Sequence, residues 1–404
     1  MRKIIFGFLF IGFFNLAYGF FVSFWRPPVY SKIITHAASS QFYDYAGAFN
    51  VKTNKSSGSG DLDEITAAAH NSGLAFVILT DFNNFSVDPK DRPYVNNVFV
   101  FNGGEYSYLD SRIYNFDMQT TDHLQGPGRS QIAFADLLSQ PSTGKPEGLF
   151  ILSQPLAGGF SNADQSSAGV DGIEIVNLKQ IWRHTWLHSK LSFFWNVFVY
   201  PFNSNLAFVR MLAEADEDAI AVWDKLNQKR PTHGYFGNAA EAKMRLPGDL
   251  YIKFPSYETL FSIAKNHILL RSELTGNLAH DRKKISEALH KGQFYMSLDI
   301  LHNPVGFSSY VTDENGEQYL PGSELPYHPG QEFIIKLPEK PELQFETVIY
   351  KNGEKIATST SASTTFTLHS PGIYRAAVKL KVPLPPPEGK KWLNWILTNP
   401  IYLN

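Results

Sequence analysis

Blocks of apolar residues alternate with polar turns along the first half of the chain, in a pattern that predicts strands separated by helices. The clearest block runs from Phe49 to Asn84. Within it, Phe49–Thr53 predicts a short strand, Asp61 is placed to cap a helix, and the continuous apolar run Leu74–Leu79 predicts a strand buried on both faces. The block is therefore a β-turn-α-β unit. Polar residues at its strand ends would line a site at the carboxyl edge of a sheet or barrel.

The same alternation continues to about residue 300, after a connector from Pro27 to Ala46. Further strands are predicted at Asn97–Phe101, Arg112–Thr120, Leu149–Leu152, Asp171–Asn177, Thr232–Phe236 and His267–Leu270, and helices at Gln131–Leu138, Glu217–Arg230, Tyr257–Ala264 and Asp281–Lys291. Strands spaced by helices or loops favour an α/β barrel over a sandwich. We therefore predict one barrel domain over residues 27–300.

The pattern changes after Leu301, where strands recur with turn signals between them. The predicted strands are Val305–Val311, Glu332–Leu337, Thr347–Tyr350, Thr364–Leu368 and Ile373–Leu380. This alternation predicts a β-sandwich-like domain over residues 301–404. Two placements are open for the aromatic tail Trp392–Leu403, which follows Lys390-Lys391: on a membrane surface, or docked on the barrel.

The amino-terminal segment, residues 1–26, predicts a location outside the cytoplasm. Residues 4–25 carry no charge and follow Arg2-Lys3, which is the length and flanking charge of a membrane-spanning helix with its amino terminus in the cytoplasm. Ala17-Tyr18-Gly19 is a passable signal-peptidase site, so cleavage is the alternative. Because the apolar run continues past that site, we predict an uncleaved anchor with the body in the bacterial periplasm or at the cell surface. The alternative is a secreted body.

A second uncharged run, Leu191–Val209, lies in a predicted insertion at about residues 180–215 and is rich in Phe, Trp and Tyr. Pro201 and three Asn residues interrupt it, which argues against a second membrane span. We predict a helical insertion packed against the barrel. The alternative is an aromatic patch that contacts the membrane surface or a protein partner.

Composition excludes several classes of function. Of the 404 residues, 18% are charged, 14% are aromatic, and the formal net charge is −2. This balance, without basic runs, argues against binding to nucleic acid. The chain has no cysteine, which excludes disulfides and thiolate metal sites.

Short motifs in the first block resemble the opening of a PHP domain (polymerase and histidinol phosphatase family), in its secreted or membrane-linked branch. That family opens with His-x-His-Thr/Ser, continues with Ser-Asp-Gly and a helix, and reaches a strand that ends in Thr-Asp-His. This chain has Asn50-Val51-Lys52-Thr53, Ser57-Gly58 and Thr80-Asp81-Phe82 in the same frame. The resemblance covers roughly residues 45–300 and implies a distorted (β/α) barrel. Asn399-Pro400-Ile401-Tyr402 is similar to the closing strand of the same branch, which implies that this segment docks on the barrel.

The resemblance also implies where metal ligands would lie. PHP enzymes hold two or three divalent metals at the carboxyl ends of barrel strands, through His, Asp and Glu, and hydrolyse phosphate esters. The aligned positions here are Asn50, Lys52, Asp81, Phe82, Glu105, Gln154, Ala239 and Glu241. Asp81 is kept, Glu105 is the clear ligand match, and Glu241 is a possible oxygen donor. A competing alignment of the late motif, Gly276 to His280, would restore one His.

Lys52 is the strongest sign that this frame has lost its metals. An ammonium group has no lone pair and would place a positive charge beside a metal cluster. We therefore predict that no metal is held and that Lys52 pairs with Glu105 or Glu241, because a buried carboxylate cluster without a cation is costly. If a hard cation is present, Glu105 and Glu241 are the expected ligands.

Three functions remain open from the sequence. The first is a catalytically degenerate PHP-like protein, anchored in the membrane, that acts as an extracytoplasmic binding or assembly module without a cofactor. The second is an active metal-dependent phosphoesterase with a rewired site that uses Mn, Zn or Fe. The third is a structural partner of a membrane complex, which binds through residues 191–209.

Overall fold

The computed structural model describes residues 2–27, 42–82, 92–108, 111–116, 148–153, 155, 169–215, 218–245 and 250–404. The helix predicted at Gln131–Leu138 lies outside these residues, as do Gln154 and residues 28–41 of the predicted connector.

Eight helices and twenty-two strands are found in the described residues. The helices are α1 Arg2–Ser23, α2 Leu62–Asn71, α3 Leu178–His188, α4 Lys190–Val199, α5 Ser204–Ala213, α6 Asp218–Asn227, α7 Tyr257–Phe261 and α8 Leu278–His290. The strands are β1 Tyr43–Val51, β2 Phe76–Phe82, β3 Tyr94–Val95, β4 Val98–Tyr108, β5 Ser111–Phe116, β6 Leu149–Ser153, β7 Gly172–Asn177, β8 His233–Ala240, β9 Met244–Arg245, β10 Tyr251–Ile252, β11 Lys265–Leu270, β12 Phe294–Ser297, β13 Ser308–Thr312, β14 Gln318–Tyr319, β15 Glu324–Leu325, β16 Glu332–Lys336, β17 Phe345–Lys351, β18 Glu354–Ser359, β19 Ser363–Thr367, β20 Gly372–Leu384, β21 Gly389–Thr398 and β22 Ile401–Leu403.

Seven strands close into a ring, which confirms the predicted barrel. Their order is β1-β2-β4-β5-β6-β7-β8, and β8 returns to pair with β1, where Phe49 lies opposite Gly237. Six of the seven strands run parallel, so their carboxyl ends meet at one rim. The exception is β5, which is antiparallel to both of its neighbours. The reversed direction of β5 is the feature that makes the barrel irregular.

Several strands are longer than predicted because their backbone pairing continues beyond the predicted bounds. β1 begins at Tyr43, inside the predicted connector, because residues 43–47 pair with β11. β4 was predicted at Asn97–Phe101. It continues to Tyr108, because Gly103 and Gly104 pair with β5 on one side and β2 on the other. A Cβ at Gly103 would lie 2.4 Å from the backbone oxygen of Asn115, so this close pairing requires glycine.

The strands after residue 300 form two groups. β13, β14, β16 and β19 make a separate four-stranded sheet, whereas β12 of the barrel region pairs with β21 and carries the barrel sheet into the carboxyl-terminal part. Backbone pairing therefore crosses the division predicted at 300/301. Arg375 on β20 adds a bidentate ion pair to Asp224 on α6, at 2.8 and 2.7 Å.

Side chains of the segment after β21 hold it on the barrel, as the resemblance implied. The buried Asn399 accepts a hydrogen bond from the backbone N–H of Gly234 at 2.7 Å. The hydroxyl of Tyr402 donates to Asn227 at 2.6 Å and accepts from the N–H of Thr232 at 3.1 Å. These bonds hold the entry of β8, the strand that closes the ring.

The carboxyl-terminal part of α1 packs against the insertion, which consists of α3, α4 and α5. The guanidinium of the buried Arg210 on α5 lies 2.6 Å from the Tyr18 hydroxyl of α1 and 3.0 Å from Glu388 in the turn between β20 and β21. The indole of Trp25 donates to the carbonyl of Pro383 in the same strand pair at 3.0 Å. Within the residues described, none of the helices combines the length and the apolar character needed to cross a membrane. The anchor over residues 1–26 stays a prediction.

A buried ionic cluster joins β1 to β11 and to the segment after β12, and it sets a pH limit on stability. The imidazole of His267 lies 2.8 Å from Asp44 and 3.1 Å from Asp299, and its ring stacks on Tyr295 at 4.8 Å. Burial alone would lower the pKa of His267, but the two carboxylates outweigh it and raise the pKa to about 10. Lys265, 3.2 Å from Asp299, supplies the second cation that balances the two acids.

We expect this cluster to lose its stabilising effect in alkaline solution. A folded-state pKa of about 10 lies above the ordinary 6.5, so the contribution of His267 is full below pH 6.5 and is lost as the pH rises toward 10. The free energy of unfolding of the wild type should therefore exceed that of His267→Gln at pH 6.5, with the gap shrinking by up to about 5 kcal/mol by pH 10. Denaturant titrations of both proteins measure the gap. A gap that stays constant between pH 6.5 and 10 would contradict the prediction.

Candidate functional site at the carboxyl end of the barrel

The strand ends that the sequence singled out gather around one cleft of about 420 Å³. Its walls include six of the eight predicted positions: Asn50, Lys52, Phe82, Glu105, Ala239 and Glu241. Ser56, Ser57, Arg112, Tyr114, Asn177 and Lys179 complete the described lining. Asp81 lies behind the wall, and Gln154 lies outside the described residues.

Lys52 is buried at the bottom of this cleft and paired as predicted. Its ammonium group forms an ion pair with Glu105 on β4 and donates to the backbone carbonyl and the hydroxyl of Thr80 on β2, the latter at 3.0 Å. It also lies 5.2 Å from the centre of the Tyr114 ring. Lys52 is 3% exposed and Glu105 is 7% exposed, so this charge pair is withdrawn from water. The amine therefore links the residue directly after β1 to the neighbouring strands β2 and β4.

Arg112 on β5 gives Glu105 a second cation, and the sequence did not indicate it. The Nε of Arg112 lies 3.1 Å from the other carboxylate oxygen of Glu105. Its guanidinium also stacks at 4.6 Å on the ring of Phe82, which is 38% exposed at the end of β2. The phenyl ring that replaces an expected imidazole is therefore part of the cleft wall. Only the antiparallel course of β5 brings Arg112 here, and spacing along the chain gave no sign of that course.

Asp81 has a structural task that the resemblance does not imply. Its carboxylate accepts hydrogen bonds from the backbone N–H and the hydroxyl of Thr53, both at 2.8 Å, and from the hydroxyl of Ser56. Tyr257 fixes the same loop from the other side, because its hydroxyl donates to the carbonyl of Lys52 at 2.8 Å. A Cβ at Gly58 would lie 2.2 Å from that carbonyl oxygen, which explains the glycine. Asp81 therefore orients the loop that carries the two serines of the cleft.

Glu241, which follows β8, is paired at the opposite wall. Its carboxylate accepts from Lys179 of α3 at 2.6 Å and from the hydroxyl of Ser57 at 3.0 Å. Lys179 is 60% exposed, so this pair is close to water and is weaker than the one at Lys52.

Glu174 on β7 is the acidic residue that sequence reasoning missed. It is 1% exposed and accepts hydrogen bonds from Asn50 and Asn177, both at 2.8 Å, and from Ser153 at 3.0 Å. Burial dominates over these donors and raises the pKa of Glu174 to about 7. The sequence signal for Glu174 is a single carboxylate inside the apolar strand sequence Gly-Ile-Glu-Ile-Val. The aligned PHP motifs contain no counterpart of this residue.

Two non-glycine residues at the rim have left-handed backbone conformations. Asn50 has φ 62° at an irregularity in the pairing of β1, and Ala239 on β8 has φ 45°. Such conformations are unfavourable for alanine in particular. Residues held this way concentrate at ligand sites, where the surrounding structure enforces them. Here the bend of β1 directs Asn50 toward both Glu174 and Thr80.

Two histidines near the aligned motifs lie away from the cleft. His233 begins β8 and therefore lies at the end of the strand opposite to the rim, packed against Gly292. Burial lowers the pKa of His233 to about 4. His280 of the competing motif is exposed in the first turn of α8 and does not line the cleft. The segment Gly237 to Glu241 occupies the rim instead.

The described residues contain no group of three or more His, Asp or Glu side chains arranged to hold a metal ion.

No protein-family model matches the chain. No curated protein matches it either. Among solved structures, the chain is similar to a two-domain protein from Bacteroides vulgatus ATCC 8482 that contains a predicted PHP-like metal-dependent phosphoesterase. The two chains are 9% identical, the match covers 92% of this chain and 98% of the other, and the TM-score is 0.38. A TM-score this low does not support a conclusion about the site.

Proposed function

We propose that the chain is a catalytically degenerate PHP-like protein whose barrel binds a small anionic ligand instead of hydrolysing phosphate esters. The observation that carries this proposal is the buried ammonium of Lys52, bound to Glu105 and Thr80 at the carboxyl rim of the barrel. In the PHP frame this position belongs to an imidazole that donates a lone pair to a metal. An ammonium cannot donate one.

The remaining oxygen donors fit a divalent metal poorly. Both oxygens of Glu105 face cations, Lys52 and Arg112, while Glu241 is paired with Lys179. The carboxylate of Asp81 already accepts hydrogen bonds from the loop that it orients. Carboxylates already neutralised by fixed cations have little charge left to attract a hard ion. On this proposal the cleft does not hydrolyse esters through a bound metal.

An anion suits the same cleft better. Its lining has three cationic side chains, Lys52, Arg112 and Lys179, against two carboxylates, Glu105 and Glu241, which leaves one positive charge in excess. The hydroxyls of Ser56 and Ser57 already donate to Asp81 and Glu241. The neutral donors that remain beside the cations are the second N–H groups of the Asn50 and Asn177 amides, whose first N–H groups bind Glu174. Charge-assisted bonds from arginine and lysine to an anion are the strong ones in such a set.

The location that goes with this proposal is outside the cytoplasm, with the body held at a membrane by residues 4–25. The uncharged run after Arg2-Lys3 supports this part of the proposal. The tie between Tyr18 and Arg210 supports an uncleaved segment, since cleavage after Gly19 would remove a partner of a buried guanidinium.

Metal analysis and a hydrolysis assay on the same preparation test the degenerate site. After incubation with Mn²⁺ or Zn²⁺ and removal of excess ion, we expect less than about one metal per ten chains and no phosphodiesterase turnover above that of Glu105→Gln. As a positive control, Asn50→His, Lys52→His and Phe82→His together restore three imidazoles and should raise the bound metal. Stoichiometric metal in the wild type, with turnover abolished by Glu105→Gln, would overturn the proposal and establish the metal-dependent phosphoesterase.

A further inference from the structure

The carboxyl-terminal part of α1 has one face packed against the protein and the other face bare. On the packed face Val22 is fully buried, and a Cβ at Gly19 would lie 2.6 Å from the ring of Phe202, so the two segments are in close contact. The amide of Asn203 caps this contact by donating to the carbonyl of Val22 at 2.8 Å. The bare face, together with the residue directly after α1, has six large apolar side chains that are 52–73% exposed: Phe13, Phe14, Leu16, Phe20, Phe21 and Phe24.

Helix α4 extends this apolar surface beyond α1. Leu191, Phe194 and Val197 recur at three-residue intervals along α4 and are 87%, 57% and 43% exposed. The exposed Trp186 of α3 supports Phe194 edge-to-face at 5.8 Å. We call the exposed apolar residues of α1, α3 and α4 the apolar face.

The parts of the apolar face lie on neighbouring helices. The rings of Tyr18 on α1 and Trp195 on α4 are 4.9 Å apart, and Trp195 stacks on Phe198 at 5.7 Å. A surface of this extent, with most of its rings more than half exposed, is too large to be the scattered apolar exposure of an ordinary soluble surface.

The charges around the apolar face identify its occupant. Two cations stand at its border, Arg26 just beyond the end of α1 and Lys190 at the start of α4, and the Lys190 ammonium lies 5.7 Å from the ring of Trp186. Aromatic side chains bordered by Lys and Arg are typical of the boundary between lipid headgroups and acyl chains. The uncharged run of residues 4–25 contains the α1 residues of the apolar face. The predicted anchor and this surface are therefore continuous.

We propose that the apolar face lies in the interface of a phospholipid bilayer, so that the protein rests on the membrane along α1 and α4. This proposal extends the anchoring proposed above from one segment to one side of the molecule. On this proposal, the insertion of α3 to α5 holds the barrel in a fixed orientation to the membrane.

The absence of cysteine from the chain allows a direct test. Phe194→Cys and Val305→Cys replace exposed apolar residues with matched exposure, 57% on α4 and 55% in the segment between β12 and β13. Each full-length variant is labelled with an environment-sensitive NBD fluorophore and reconstituted in vesicles of phosphatidylcholine and phosphatidylglycerol. At position 194 we expect at least about a twofold rise in emission, with quenching by brominated lipid, and at position 305 no change.

Flotation of the vesicles, measured on the same samples, reports whether the chain is held at the membrane at all. Protein that floats while both labels keep their water-like emission would overturn the apolar face as a lipid contact and leave the anchor intact. Protein that does not float would overturn both. Shielding of position 194 by a protein partner without vesicles would assign the face to that partner and overturn the lipid proposal.

Discussion

Replacing Lys52 by methionine should cost about 3–5 kcal/mol of the free energy of unfolding. Methionine keeps most of the volume of the lysine stem but removes the charge, which leaves Glu105 buried with only Arg112 as its ion partner. The hydroxyl and the backbone carbonyl of Thr80 also lose their donor. Denaturation followed by tryptophan fluorescence measures the loss.

A matched control and a rescue separate charge from packing. Lys179→Met removes a lysine that is 60% exposed in the same cleft, and we expect a change below about 1 kcal/mol. Adding Glu105→Gln to Lys52→Met removes the charge of the carboxylate that has lost its lysine partner. The double variant should recover about half of the lost free energy of unfolding. A single variant within 1 kcal/mol of the wild type would show that the buried pair does not stabilise the barrel.

Replacing Arg210 by methionine should release α1 from the body at a cost of about 3 kcal/mol. The guanidinium is 1% exposed and bridges Tyr18 of α1 to Glu388 between β20 and β21. Hydrogen exchange of residues 12–25 then reports the local opening directly. We expect exchange there to become roughly a hundredfold faster, which is what a loss of about 3 kcal/mol means for a local equilibrium.

Arg183→Met is the control for this second experiment, since it removes an exposed arginine from the neighbouring helix α3. Its effect should stay within about 0.5 kcal/mol. Equal exchange of residues 12–25 in the wild type and in Arg210→Met would show that α1 is held by its apolar contacts alone.

The first block of the sequence was predictable because its local signals agree with one another. Asp61 accepts a hydrogen bond from the N–H of Glu64 at 2.9 Å and caps α2, and Gly73 has φ 71° where the helix ends. The long-range partner of Glu64 was not predictable. The carboxylate of Glu64 pairs with Lys253 at 2.6 Å, a partner almost two hundred positions away that no local rule could indicate.

The cleft was predictable only where each strand contributes its own end. Lys52 and Glu105 follow from the rule that parallel strands meet at one rim. Arg112 and Glu174 do not, for two different reasons. Arg112 depends on the reversed direction of β5, which is a property of tertiary pairing. Glu174 depends on burial, because its position inside an apolar strand says nothing about which neighbours will hydrogen-bond to its carboxylate.

The position of Asn399 and Tyr402 has a consequence for biogenesis. A polypeptide synthesised from its amino terminus presents β1 to β8 long before these two residues exist, yet they hold the entry of β8. Until these two residues are synthesised, the N–H groups of Gly234 and Thr232 lack those partners. The last strands of the barrel are then held only by pairing with their neighbours in the sheet. Maturation should therefore finish in a late, concerted step that waits for about the four-hundredth residue, and a nascent chain stalled shortly before it should remain protease-sensitive around β8.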